Sequence, residues 1–204
     1  MVIKMTKKRV AVGFDTSNYT TSAAVFDIDS GEVTANLKLP LPVAHGERGL
    51  RQSDALFAHI KNLPDICERL LGYYSYDEIC AIGYSAYPRD EKGSYMPCFL
   101  AGQAAAETAA AVLGVPLYRF SHQAGHLMAA VKTCGNDEIQ KGEFLAFHAS
   151  GGTTEMLHAI PHEEIGFSAD IIGKTLDISV GQLVDRVGVM LGLTFPCGGE
   201  LEKL

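Results

Sequence analysis

The chain has 204 residues, enough for one large domain or two small ones, and its 47% hydrophobic and 20% charged residues fit an ordinary globular protein. With 24 acidic against 17 basic residues it carries no broad basic footprint for nucleic acid, so an RNA substrate would need positive charge from a partner or a local patch. Five scattered cysteines without a C-x-x-C pair read as reduced thiols; no run nears the roughly 18 apolar residues of a membrane span, and the apolar run after basic Lys4–Arg9 is too short for a signal peptide. A soluble cytoplasmic protein with no membrane attachment is expected.

Val10, Val12 and Phe14 alternate with small residues, so Arg9 to Asp27 reads as a strand, a polar turn over Asp15–Thr21 and a second strand. A turn at Asp29-Ser30-Gly31 leads into a third strand, Glu32–Leu39, and Leu41–Arg51 reads as a loop. Ser53 is a candidate N-cap for a helix to about Leu71, with Leu56, Phe57, Ile60, Leu63, Cys67 and Leu70 at helical spacing and Pro64 expected to kink it. Ile79–Tyr84 is a short buried strand. Pro97 opens a helix to about Leu113 whose many small residues favour close approach to a neighbour.

Val115–Tyr118 reads as a strand, and Ser121 as the N-cap of a helix bearing His122 and His126. Phe144–His148, the turn Ala149–Gly152 and the strand Thr153–Ile160 then repeat the layout of Val10–Phe26, which suggests two related lobes, 1–113 and 114–204. Ile178 to Leu191 reads as a helix capped by Asp177 or Ser179, ending at Gly192. Its Ile178, Leu183, Val184, Val187, Met190 and Leu191 are expected to face a core. Phe195–Gly199 reads as a loop, and the five residues after it are too few for a helix stable by itself, so a shortened second lobe is expected.

Three patterns carry chemistry. His122 and His126, four apart, leave one face of a helix, and two such nitrogens can reach one metal ion at about 2.0–2.1 Å, with a third ligand needed from elsewhere. The same spacing also suits two packed or surface histidines. Ala149-Ser150-Gly151-Gly152-Thr153-Thr154 offers converging backbone N–H groups for phosphate or acyl-phosphate, and equally makes an ordinary hairpin turn. Around Asp15, the hydroxyls and carboxylate could meet phosphate and hydrated Mg²⁺ or simply satisfy their own backbone.

The order of these pieces resembles the glycoprotease-like ASKHA family, whose best-known members are the TsaD-type tRNA threonylcarbamoyladenosine transferases. The resemblance rests on Gly13–Ser17, on Ser121–His126 as His-x-x-x-His, on Ala149–Thr154 as Ser-Gly-Gly-x-Thr, and on Gly173–Gly199 with Gly181–Arg186 and Pro196–Gly199 in family order. It implies an α/β, actin/Hsp70-like (ribonuclease-H-like) fold of duplicated lobes, the second incomplete. It implies that His122 and His126 hold iron or zinc, with an Asp ligand from a C-terminal part this sequence lacks. It implies that His148, Ala149, Ser150, Gly151, Gly152, Asp185 and Gly198 line a nucleotide or threonylcarbamoyl-adenylate pocket between the lobes.

The implied reaction moves a threonylcarbamoyl group from its adenylate to N6 of a tRNA adenosine, with the metal as Lewis acid and no protein nucleophile. A peptidase helix would want Glu after the first His, where this chain has Gln123. Departures from the family pattern at Asn18–Thr21, Ser85–Asp90, Gln182 and Cys197 point to a divergent paralogue. Two rivals are a non-catalytic dimerising scaffold of the same pathway and a sugar or acetate kinase of the same fold, the latter disfavoured because nothing marks a catalytic base. The expected partners are an adenylate, tRNA through a complex, and a second subunit in a homo- or heterodimer.

Overall fold

Alternation of apolar and small residues builds the first strands. In β1 (Val10–Asp15), Val10, Val12 and Phe14 are buried; β2 (Thr20–Asp27) returns antiparallel with Phe14 opposite Ala23. The computed structural model describes residues 8–17, 19–42, 50–194 and 196–204. Most of the basic start, the centre of the Leu41–Arg51 loop, Asn18 and Phe195 therefore lie outside the described residues. The chain divides into two compact units, 1–126 and 127–204.

In unit 1, β3 (Glu32–Pro40) pairs antiparallel with β2, while β4 (Ile79–Tyr87) and β5 (Leu117–Ser121) run parallel to β1, giving the order β3-β2-β1-β4-β5. The boundary falls beyond residue 113 because β5 belongs to this sheet. Helices α1 (Gln52–Leu70) and α2 (Phe99–Leu113) pack on it, α1 against β2 and α2 against β4. Fully buried Ile66 and Leu70 of α1 join Val10, Val25 and Ile82 in the core, each such side chain contributing about 1.5–3 kcal/mol.

Two expectations for α1 are corrected. Ser53 lies inside the first turn and the N-cap is Arg51, with no side-chain cap. The buried face is Ala55, His59, Leu63, Ile66 and Leu70, while Phe57 and Ile60 are exposed. His59 replaces Ile60 in the core because Thr21 Oγ1 lies 2.9 Å from its Nδ1 and also accepts from Asn62, giving the imidazole a buried polar partner. Close packing of α2 is as expected. A Cβ on Gly102 would stand 2.9 Å from Thr16 Oγ1, and Gly102 N–H donates to that oxygen.

The division falls within α3 (His122–Thr133), whose Leu127 and Val131 pack with Leu157, Ala159 and Phe167 of unit 2. There β6 (Phe144–Ala149), β7 (Thr154–His162) and β8 (Gly166–Lys174) form a three-stranded antiparallel sheet, β8 being a strand the sequence pattern did not reveal. Ser179 caps α4 (Val180–Met190), accepting from Gln182 N–H, and Gly192 follows with φ +83°. A short α5 (Gly198–Leu201) follows, covering Gly198 and Gly199, which the sequence pattern put in a loop.

The expected core face of α4 is also corrected: Leu183, Val187, Met190 and Leu191 are exposed, and the helix instead buries Gly188. The reason is backbone-to-backbone packing. A Cβ on Gly181 would lie 2.6 Å from Gly151 Cα and from Ser150 O, and one on Gly188 would collide with Cys197. Glycines seven apart share a helix face, and that face is the one turned inward.

Candidate functional site

The start of α3 in unit 1 is fastened at three points. Ser121 Oγ accepts from Ala124 N–H as an N-cap and donates to Asp90 at 2.6 Å; Gln123 N–H donates to Pro88 O at 3.1 Å. The third point is His122, whose Nδ1 lies 2.7 Å from Asp15 Oδ2. One turn later, His126 Nε2 stands 2.9 Å from His122 Nε2, with the rings edge to face at 4.2 Å between centroids.

Asp15 sits at the end of β1. Its Oδ1 accepts from Ser17 N–H at 2.9 Å, and its Oδ2 accepts from Ser85 Oγ, at the end of β4, as well as facing His122. Burial works against its ionisation, but the hydrogen bond and charge of His122 outweigh it, and Ser17 and Ser85 add to them. The carboxyl is therefore held below the ordinary aspartate range. As an anion it can only accept, so Nδ1 of His122 carries the hydrogen toward it, and in the neutral imidazole Nε2 is then the nitrogen with the lone pair.

The two Nε2 atoms could share a metal ion. Two nitrogens each about 2.0–2.1 Å from one ion stand roughly 2.9 Å apart at a right angle and roughly 3.3 Å apart at the tetrahedral angle, and the observed 2.9 Å is close to both and is also a hydrogen-bond distance. A carboxylate on the far nitrogen of a ligating histidine is the usual orienting partner. Among the described residues no third His, Cys, Asp or Glu joins the pair. The i, i+4 spacing of the histidines was legible in the sequence; the parts of Asp15 and Ser85 were not.

In unit 2, the Ser-Gly-Gly turn is largely self-satisfied. Ser150 N–H donates to Thr153 O, and both Gly152 and Thr153 N–H donate to Ser150 Oγ. The N-terminus of α4 is occupied too: Val180 N–H meets Thr154 Oγ1, Gly181 N–H meets Ser150 O, and Ser179 Oγ donates to Gly151 O. Nothing stands within 4 Å of a Cβ built on Gly151 or Gly152, so the turn's outer side is open. It offers a flat glycine surface rather than a cluster of free N–H groups.

The remaining nominated residues flank that turn within unit 2. Ala149 ends β6 opposite Thr154. His148 lies opposite Glu155 across β6–β7, with Nδ1 3.7 Å from the buried Oε2, a pairing the sequence did not disclose. On α4, Asp185 accepts Cys197 N–H at 2.8 Å through Oδ1, and Gly198 begins α5 with Val184 nearby.

The family model for TsaD, tRNA N6-adenosine threonylcarbamoyltransferase, matches residues 46–204. A tRNA N6-adenosine threonylcarbamoyltransferase of Streptococcus pneumoniae (strain Hungary19A-6) is 32% identical over 203 residues, covering 97% of this chain and 56% of the relative. One from Riemerella anatipestifer is 27% identical over 199 residues, covering 97% and 55%. The chain thus spans about half the length of the curated relatives it matches. Among solved structures, a Pseudomonas aeruginosa protein described as similar to the peptidase YeaZ superposes with a TM-score of 0.51 at 14% identity, covering 79% of this chain and 63% of that one. That likeness bears on the fold, which is of the α/β, actin/Hsp70-like type. No helix among the described residues is long and apolar enough to cross a membrane.

Proposed function

The chain belongs to the TsaD family of tRNA N6-adenosine threonylcarbamoyltransferases, and from that premise we propose that it serves metal-dependent transfer of a threonylcarbamoyl group from an adenylate to an acceptor amine, adenosine N6 of tRNA in the family. The observation that carries this reading is the Asp15–His122–His126 array. His122 and His126 would hold one divalent ion, iron or zinc. Bound there, the ion supplies Lewis-acid polarisation of the carbonyl under attack.

The chain's own residues bind and orient. Asp15 keeps the Nδ1 hydrogen of His122, and the fastening of Ser121 to Asp90 holds the first turn of α3 in place. In unit 2 the open glycine side of Ser150–Gly152 suits the backbone approach of an adenylate, with His148 and Ala149 at its strand end. Asp185, with Oδ1 on Cys197, has its second oxygen for a ribose hydroxyl, beside Gly198. The acceptor amine is itself the nucleophile. The net charge of −7 favours tRNA being held through a partner or a local basic patch.

A second reading, a non-catalytic subunit that works by association, is favoured by the exposed apolar row of α4 and by exposed Leu145 and Phe147 on β6. Metal uptake separates the two. Titration with Zn²⁺ or Fe²⁺ is expected to show one ion per chain, bound at least about tenfold more weakly after His122→Ala or His126→Ala. Equal uptake by all three proteins would overturn the metal reading and leave the association reading.

A further inference from the structure

We propose that Asp15, seated by Ser85 and Ser17, is a positioning residue that sets which nitrogen of His122 is free, and through it the metal affinity of the histidine pair. The inference rests on the metal reading above and adds to it a residue 107 positions away in sequence. Both carboxylate oxygens are engaged, Oδ1 by Ser17 N–H and Oδ2 by Ser85 Oγ and His122 Nδ1. Asp15 meets His122 on Nδ1, not on the Nε2 that faces His126, so it stands behind the histidine pair. It orients a ligand.

Two other uses of the cluster fail. Ser85 is not an activated nucleophile, because the carboxylate it donates to is held below the ordinary aspartate range and is too weak a base to take its proton. Asp15 does not serve only its own turn, because just one of its contacts, Ser17 N–H, is local. Its remaining partners come from β4 and α3, so the carboxylate joins three separated segments on one acceptor pair.

The consequence is a fixed tautomer. With Nδ1–H donated to Asp15, the Nε2 lone pair points at His126 Nε2, and in the metal-free protein one hydrogen lies between the two Nε2 atoms. An amide at position 15 would reverse this. If its oxygen keeps Ser17 N–H, its NH₂ group meets His122 Nδ1 and drives the ring hydrogen to Nε2, where it blocks the ligand position.

The experiment uses the 204-residue chain, ¹⁵N-labelled and metal-free at about pH 8, with imidazole nitrogens read by long-range ¹H–¹⁵N correlation, followed by Co²⁺ titration. Wild-type His122 is expected to be protonated on Nδ1, Asp15→Asn on Nε2. Asp15→Asn should weaken Co²⁺ binding by about 10–100-fold, and Ser85→Ala by less. A wild-type His122 protonated on Nε2 overturns the inference without any substitution. So does unchanged Co²⁺ affinity in Asp15→Asn when His122→Ala has lost it, a result that leaves the metal reading standing. Undiminished binding in His122→Ala overturns the metal reading, and this inference with it.

Discussion

Both units open with the same device, a strand, a hydroxyl-bearing turn and an antiparallel return, and they complete it differently. In unit 1 the far edge of β1 pairs with β4, and the hydroxyl of Thr16 donates to Cys98 O while accepting from Gly102 N–H of α2. The neighbouring Asp15 is left to reach a side chain of α3. In unit 2 the sheet stops at β6, and the Ser150 hydroxyl folds back onto Gly152 and Thr153. In unit 1 a helix takes up the turn's hydroxyl, and the neighbouring carboxylate closes the turn with one oxygen and reaches α3 with the other. In unit 2 the hydroxyl closes the turn and α4 takes up its carbonyls, so what remains for a ligand is its glycine surface.

The sharpest way to break this comparison is to fill the two close glycine contacts. Gly181→Val pushes α4 off the Ser150–Gly151 backbone and should cost unit 2 about 2–3 kcal/mol; Gly102→Ala presses on Thr16 Oγ1, at a cost to unit 1 of about 1–2 kcal/mol. Hydrogen exchange reads each loss separately, in the β6–β8 amides for the first and the β1–β5 amides for the second. Equal loss in both sheets from either change would show that the turns are not independently supported.

A smaller effect comes from His59. Burial pushes its pKa below the ordinary histidine value, with the charge of Asp15 partly opposing. The unfolded chain then takes up a proton first, so stability should fall as pH drops below about 6.5 toward the lower folded value. The urea midpoint followed across that window should lose part of its pH dependence in His59→Gln. An unchanged slope would place the titrating group elsewhere.

The smallest effect on stability belongs to the outer face of unit 2. Phe147 is 74% exposed and Leu145 62%, so changing both to Thr should alter stability by no more than about 0.5 kcal/mol. Light scattering at high concentration should nevertheless show less association, since exposed apolar patches drive it. A loss of several kcal/mol would mean that the two side chains are covered in solution.

Strands β1 and β2 were legible because their burial follows the alternation of side chains, whereas β4 runs three residues past its expected end at Tyr84 and so takes Ser85 into the sheet. The capping of α4 by Ser179 was equally legible, since it depends on neighbours within four residues. β8 was not, because Gly166–Lys174 mixes glycine, serine and aspartate into a strand and shifts register beside Met156. The buried face of α1 was misread by one residue. Hydrophobicity favours Ile60, whereas burial of His59 depends on Thr21, 38 residues earlier. Apolar periodicity found a stripe on α4 but could not say what covers it. The histidine pair was visible as spacing; the carboxylate that orients it was not, since a hydrogen bond spanning 107 residues leaves no local signature.

The two inward glycines of α4 make that helix a ruler. Gly181 rests on the Ser150–Gly151 turn and Gly188 on Cys197, and seven residues at 1.5 Å set these marks about 10 Å apart. Rolling the helix by one residue, about 100°, would drive Gln182 or Val189 into a space that accepts only a hydrogen atom. The helix can therefore neither roll nor slide, and the two loops nominated to frame an adenylate are kept at one separation. A one-residue insertion between Gly181 and Gly188 would displace one mark from its loop while leaving every loop residue unchanged.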